Sequence, residues 1–237
     1  MGAGVPTPVD LPSGVEVEPE IRLLVKSAAL TYFAEAAYSS QVDERTYKAV
    51  TLGAYYRLSE NFRGGLFYRR QYGVRHDADW IKGPVGWYWN NANNRGEDVL
   101  ILDASPRVKL EFLPGRSWTG ELKNRYFYNT FNSQSTFVTR PGLTYFWLRN
   151  EKPFVNVFLQ YEIYFPLNYG VKTIYETWAY LGALYNIMPT FQLAGYVARK
   201  SETWGNTPEF FKLSGETYSV QATTTVLGLV AVFNLGR

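Results

Sequence analysis

From Glu97 to Leu113 the chain reads EDVLILDASPRVKLEFL, and polar and apolar positions alternate along it. Leu100, Leu102, Ala104, Pro106, Val108, Leu110 and Phe112 fall on one parity, and Asp103, Ser105, Arg107, Lys109 and Glu111 on the other. A period of two is the signature of a β-strand, whose successive side chains point to opposite faces. After a turn at PGR, the segment SWTGELKNRYFYN repeats the division, with Glu121, Lys123 and Arg125 opposed to Leu122, Tyr126 and Tyr128. FVNVFLQYEIYF does so again, with Val155, Val157, Leu159, Tyr161 and Ile163 against Asn156, Gln160 and Glu162.

The same reading along the whole chain predicts ten strands, at 21–38, 46–58, 62–72, 97–113, 117–130, 136–148, 154–166, 171–185, 190–200 and 218–235. One set of connections is short: SEN, PGR, RNEK and NIMP. The other set, at 39–45, 73–96, 131–135, 167–170 and 201–217, is mostly longer and more polar. An antiparallel meander places all the short turns at one end and all the long loops at the other. Residues 1–14, rich in Pro and Gly, read as a flexible tail ahead of a single domain over 15–237.

Parity does not say which face is inside. A soluble sandwich or a lipocalin-like barrel alternates too, with its apolar face inward. Three features favour the inverse. Many expected strands run to about 11–15 residues, against a usual length of about 5–6, and a tilted membrane-crossing strand needs about 9–11. The oily face is too bulky to fill one closed interior. Aromatics recur near strand ends on that face, at Phe112, Trp118, Tyr128, Phe137, Trp147, Phe165 and Tyr185.

In this the chain resembles Gram-negative outer-membrane β-barrel proteins, over nearly its whole length after residue 20. The final segment VLGLVAVFNLGR is similar to their C-terminal strand in carrying Gly228, Leu229, Ala231 and Phe233. It departs from that pattern in the NLGR that follows Phe233 and in the small Ala231. The resemblance implies an all-β, antiparallel, up-and-down transmembrane barrel of about ten strands (8–12), an even strand number, and both termini at the periplasmic end. Short turns are then periplasmic and long loops external.

Composition narrows the chemistry. The 237 residues are 46% hydrophobic and 17% aromatic. A net charge of +3, interleaved in sign, does not make a nucleic-acid surface. The absence of Cys excludes disulfides, thiolate metal sites and Cys nucleophiles. No metal-ligand spacing is seen, and no cofactor is expected. GAGVPTPVDLPSG after Met1 has neither a basic nor an apolar leader region, so the chain reads either as cytosolic or as a mature form with an added Met; the resemblance implies the mature outer-membrane form.

The ionic face would then point into a lumen. Its cations by parity are Arg57, Arg63, Arg69, Arg107, Lys109, Lys123, Arg125 and Arg140, and its anions Glu35, Asp103, Glu111, Glu121, Glu162 and Glu176. Adjacent strands are expected to set Lys109 and Glu111 beside Glu121 and Lys123, and Arg140 near Glu162. A barrel of this size is narrow. Balanced charges in it suit an ion-pair network that seals the lumen, because unpaired buried charges are costly. The alternative is a narrow porin-like channel for small polar or anionic solutes. Gly53, Gly65, Gly142 and Gly182 also fall on this face, where they would ease sheet curvature.

A third reading is a hydrolase at the outer rim, as in some outer-membrane enzymes. The single histidine, His76, lies in RHDADW beside Asp77 and Asp79, where an Asp–His pair activates water. No second acidic pair is identifiable, and no catalytic residue is assigned. The longest loop carries Trp80, Trp87, Tyr88 and Trp89 amid Asn and Gly, side chains suited to carbohydrate or protein contact. Glu16, Glu18 and Glu20 of VEVEPE either extend the first strand or form an edge for a partner chain. The function expected is a non-enzymatic structural or scaffold barrel of the cell envelope. Its partners would be the outer-membrane bilayer with its lipopolysaccharide, and other envelope proteins.

Overall fold

The computed structural model describes residues 13–40, 46–73, 79–83, 86–90, 96–114, 117–168, 175–205, 211–212, 215, 217 and 219–236. Its strands are β1 (Val15–Ser27), β2 (Leu30–Ser40), β3 (Thr46–Arg57), β4 (Phe62–Tyr72), β5 (Asp79–Gly83), β6 (Gly86–Asn90), β7 (Gly96–Lys109), β8 (Trp118–Asn129), β9 (Ser135–Arg149), β10 (Lys152–Pro166), β11 (Glu176–Met188), β12 (Phe191–Gly205) and β13 (Ser219–Leu235). All but β5 and β6 close into one barrel, in the order β1-β13-β12-β11-β10-β9-β8-β7-β4-β3-β2. The fold is therefore an all-β closed barrel in which every neighbouring pair except β1–β13 is antiparallel. β5 and β6 form a separate two-stranded hairpin within the connection from β4 to β7.

The barrel has eleven strands rather than ten, because the segment expected as one strand over 21–38 folds back on itself. Ser27 pairs with Leu30, and the two-residue turn puts Ala28 in the left-handed region at φ 49°. An odd number in an up-and-down meander forces the first and last strands to run parallel. β1 and β13 do so, from Val15–Thr225 to Val25–Leu235. This corrects two expectations together. The strand number is not even, and the chain enters the barrel at the end opposite to where it leaves. β1 is also no free edge for a partner, since β2 and β13 pair with its two sides.

The connections keep their expected alternation. β1–β2, β3–β4, β7–β8, β9–β10 and β11–β12 are joined at one end, and the longer connections gather at the other. Between β9 and β10 the turn is two residues, Asn150 and Glu151, at φ 52° and 61°. Two positive φ values suit the strand twist and make this a hairpin of the favoured primed kind.

The faces are inverted relative to a soluble protein. Leu66, Leu102, Leu159, Leu181 and Leu229 are each more than half exposed on the outside. By contrast, Glu16, Glu97 and Glu162 are among the most deeply buried large side chains. A barrel with its apolar face inward is thereby ruled out. Exposed outward aromatics flank the leucine band: Tyr32, Tyr56, Trp147, Tyr185 and Phe233 towards the short turns, and Tyr38, Tyr68, Tyr72 and Phe137 towards the long loops. A continuous apolar surface of this kind is rare on a soluble monomer.

Candidate functional site: a divided lumen

Inside the barrel, charged residues from seven strands meet in one layer. Glu35 on β2 accepts from Arg22 Nε on β1 at 2.9 Å and lies 3.6 Å from Arg69 Nη2 on β4. Arg69 Nε also donates to Thr51 Oγ1 on β3 at 2.9 Å. On the opposite wall, Glu162 on β10 is 2.5 Å from Arg125 on β8 and 3.4 Å from Arg140 on β9. The Tyr164 hydroxyl donates to the same carboxylate. Asp103 on β7 faces Lys123 on β8 at 3.5 Å, and Lys123 reaches the Tyr55 hydroxyl at 3.2 Å. Glu121 takes Arg63 at 2.8 Å.

Aromatic rings hold these cations from below and beside. The Arg63 guanidinium lies 4.6 Å from the centre of the Tyr55 ring, and Arg125 lies 5.3 Å from that of Phe127. Phe33, Tyr55 and Phe67 pack edge to face, at centroid separations of 4.7 to 5.9 Å. Gly65 makes room for this cluster, since a Cβ there would stand 2.5 Å from the Phe67 ring. It seats a ring.

Two chambers lie along the lumen and share part of this charged lining. The larger, about 420 Å³, lies towards the long-loop end, and the smaller, about 260 Å³, on the other side. Arg22, Glu35, Arg69, Arg125 and Arg140, with Leu184 and Val232, line both and so lie at the boundary between them, called the septum below. Such groups stay charged and buried because each carboxylate has a cation against it; removing one partner leaves a charge that burial penalises.

The sequence-expected residues divide into three groups. Glu35, Arg63, Arg69, Asp103, Glu121, Lys123, Arg125, Arg140 and Glu162 form the ion pairs just described. Arg57, Arg107, Lys109 and Glu111 are exposed near the short turns, where Arg107 Nε donates to the Glu60 carbonyl. Glu176 sits at the far end, accepting from the Trp178 indole N–H. The register differs from expectation. Arg107 stands across from Glu121, and Lys109 across from Thr119, while Glu111 lies in the turn. Glu162 lies near Arg140 and nearer still to Arg125.

Five participants were missed. Arg22 and Glu20 carry the expected outward parity if 21–38 is one strand, and the turn at Ala28 reverses it. Lys200 is the last residue of the strand expected over 190–200, Glu202 lies where β12 runs on past it, and Lys200 bridges Glu16 at 3.5 Å and Glu202 at 3.1 Å. Glu97, bonded by Gln71 and Asn129 at 3.0 Å each, shares the parity of Asp103 and was legible from it. His76 lies outside the described residues, as do the side chains of Trp80, Trp87, Tyr88 and Trp89. Among the described residues no group of three or more His, Asp or Glu is placed to hold a metal. A scan of protein-family models and a search of curated proteins give no match to this chain.

Proposed function

We propose that this chain is a Gram-negative outer-membrane β-barrel that serves as a structural component of the cell envelope, with its lumen closed by the septum rather than open as a pore. The observation that carries the reading is the inversion of faces. A leucine band bounded by two aromatic rings suits a bilayer, whose apolar slab is about 25 Å tall in such barrels. Strands of 11 to 17 residues are long enough to cross it when tilted. The paired charges across the middle support a scaffold over a porin, because each of Glu35 and Glu162 is held by cations from neighbouring strands. Lipopolysaccharide and other envelope proteins are the partners this placement supplies.

A second reading, a narrow porin-like conduit, draws on the two chambers in series. Conductance of the refolded barrel in planar bilayers tests the choice. Closed or flickering small currents are the expected result. A stable open pore of nanosiemens scale, with Glu162→Gln folding normally, would overturn the scaffold reading.

A further inference from the structure

The chamber towards the short turns is lined by six cationic side chains and only two carboxylates, Glu35 and Asp103. Glu20, Glu121 and Glu162 reach some of the same cations from outside that lining. Six cations are thus met by five carboxylates. One positive charge inside the barrel is left without a counter-charge, which is costly.

The excess falls at Lys123 and Arg140. They stand directly across from each other on β8 and β9, and both line the chamber. Like charges so opposed repel. Asp103, the carboxylate nearest to Lys123, is 3.5 Å away, turned into the wall and bonded by the Ser105 hydroxyl. Arg63 shares the Tyr55 ring with Lys123, at 4.6 and 5.7 Å from its centre, so a third cation crowds the place. The Arg140 side chain has one polar contact among the described residues, from Nη1 to Glu162 at 3.4 Å, and Arg125 takes that carboxylate more closely. A separate observation concerns the facing wall, which is apolar. Leu24 on β1, Leu184 on β11 and Val232 on β13 line it, in one cluster with Ala194 and Val230.

We propose that this chamber binds a short-chain monocarboxylate, with its carboxylate between Lys123 and Arg140 and its tail against Leu24, Leu184 and Val232. A single negative charge there neutralises the excess and separates the two opposed cations. The planar guanidinium of Arg140 has donors to spare, and its fork matches a carboxylate. The apolar wall favours an anion with a hydrocarbon tail over a bare inorganic one, because burying that tail removes apolar surface from water. A volume of about 260 Å³ is at the small end for ligand sites, so the tail is short. The inference stands on the lumen alone and is independent of where the barrel resides.

Calorimetric titration of the refolded barrel in a non-ionic detergent at low ionic strength tests it, with sodium butyrate as the probe. Saturable binding is expected. 1-Butanol, which keeps the tail and lacks the charge, should fail to compete. Chloride, which keeps the charge and lacks the tail, should bind more weakly. Arg140→Gln leaves Glu162 in the hold of Arg125 and, with folding checked by heat-modifiable gel migration, should weaken butyrate by about tenfold or more. The comparison of the three probes uses the unaltered protein, so it decides the matter even where the variant folds poorly. Absence of butyrate binding, competition by 1-butanol, chloride binding as tight as that of butyrate, or unchanged affinity in folded Arg140→Gln would each overturn the proposal.

Discussion

Arg125 reaches past an intervening strand to hold Glu162. Arg125 is on β8 and Glu162 on β10, their side chains are 2.5 Å apart, and β9 lies between them. Arg140 on β9 completes the cluster from 3.4 Å. A single carboxylate thus links three consecutive strands of one barrel wall.

Glu162→Gln keeps the shape and removes the charge. It should destabilise the barrel by about 3–5 kcal/mol, because it strands buried guanidinium groups. A double-mutant cycle with Arg125→Gln should recover more of the loss than one with Arg140→Gln, following the shorter distance. Urea unfolding of the six proteins, wild type, three single variants and two double variants, reads this out. Zero coupling in both cycles would mean that the septum is not a cooperative network.

Gly228 supports a chamber wall. It pairs with Tyr196, and a Cβ at this position would come within 1.9 Å of the Tyr196 ring. Gly228→Ala should therefore displace that ring and cost about 1–3 kcal/mol as overpacking does. The shift in the unfolding midpoint measures it, and an unchanged midpoint would show that Tyr196 does not need the space.

The absence of Cys allows clean labelling of single sites. Lys212 is exposed in the connection between β12 and β13, and Thr190 is exposed in the turn between β11 and β12. In intact cells, a membrane-impermeant maleimide should label Lys212→Cys and spare Thr190→Cys. The reverse outcome would turn the barrel over, with its short turns outside.

The extent of what was legible in the sequence follows from local physics. Period-two alternation with turns between is a property of each strand by itself. That is why the strands from β7 to β10, and the parity of Asp103, Lys123, Arg125 and Glu162, could be read directly. The β1–β2 turn could not. KSAALTY has no Gly, Pro, Asn or Asp to mark it, and apolar residues run straight through. Missing it hid Arg22 and the parallel closure together. Register was also out of reach. Whether Arg107 or Lys109 stands opposite Glu121 depends on the length of the β7–β8 turn, and both choices keep the same faces inward and outward.

The central claim is that the oily face meets lipid while the ionic face meets the lumen, and two adjacent residues test it most directly. Leu159 is 58% exposed on the outside and pairs with Leu143 on one side and Leu181 on the other. Gln160, its neighbour in sequence, lines the chamber. The measurement is refolding into lipid vesicles with Arg placed at each position in turn. Leu159→Arg should cost about 2–4 kcal/mol, as a charge near the bilayer midplane does, and Leu102→Arg should behave in the same way. Gln160→Arg should fold with much smaller loss. Equal tolerance of Leu159→Arg and Gln160→Arg would contradict the account.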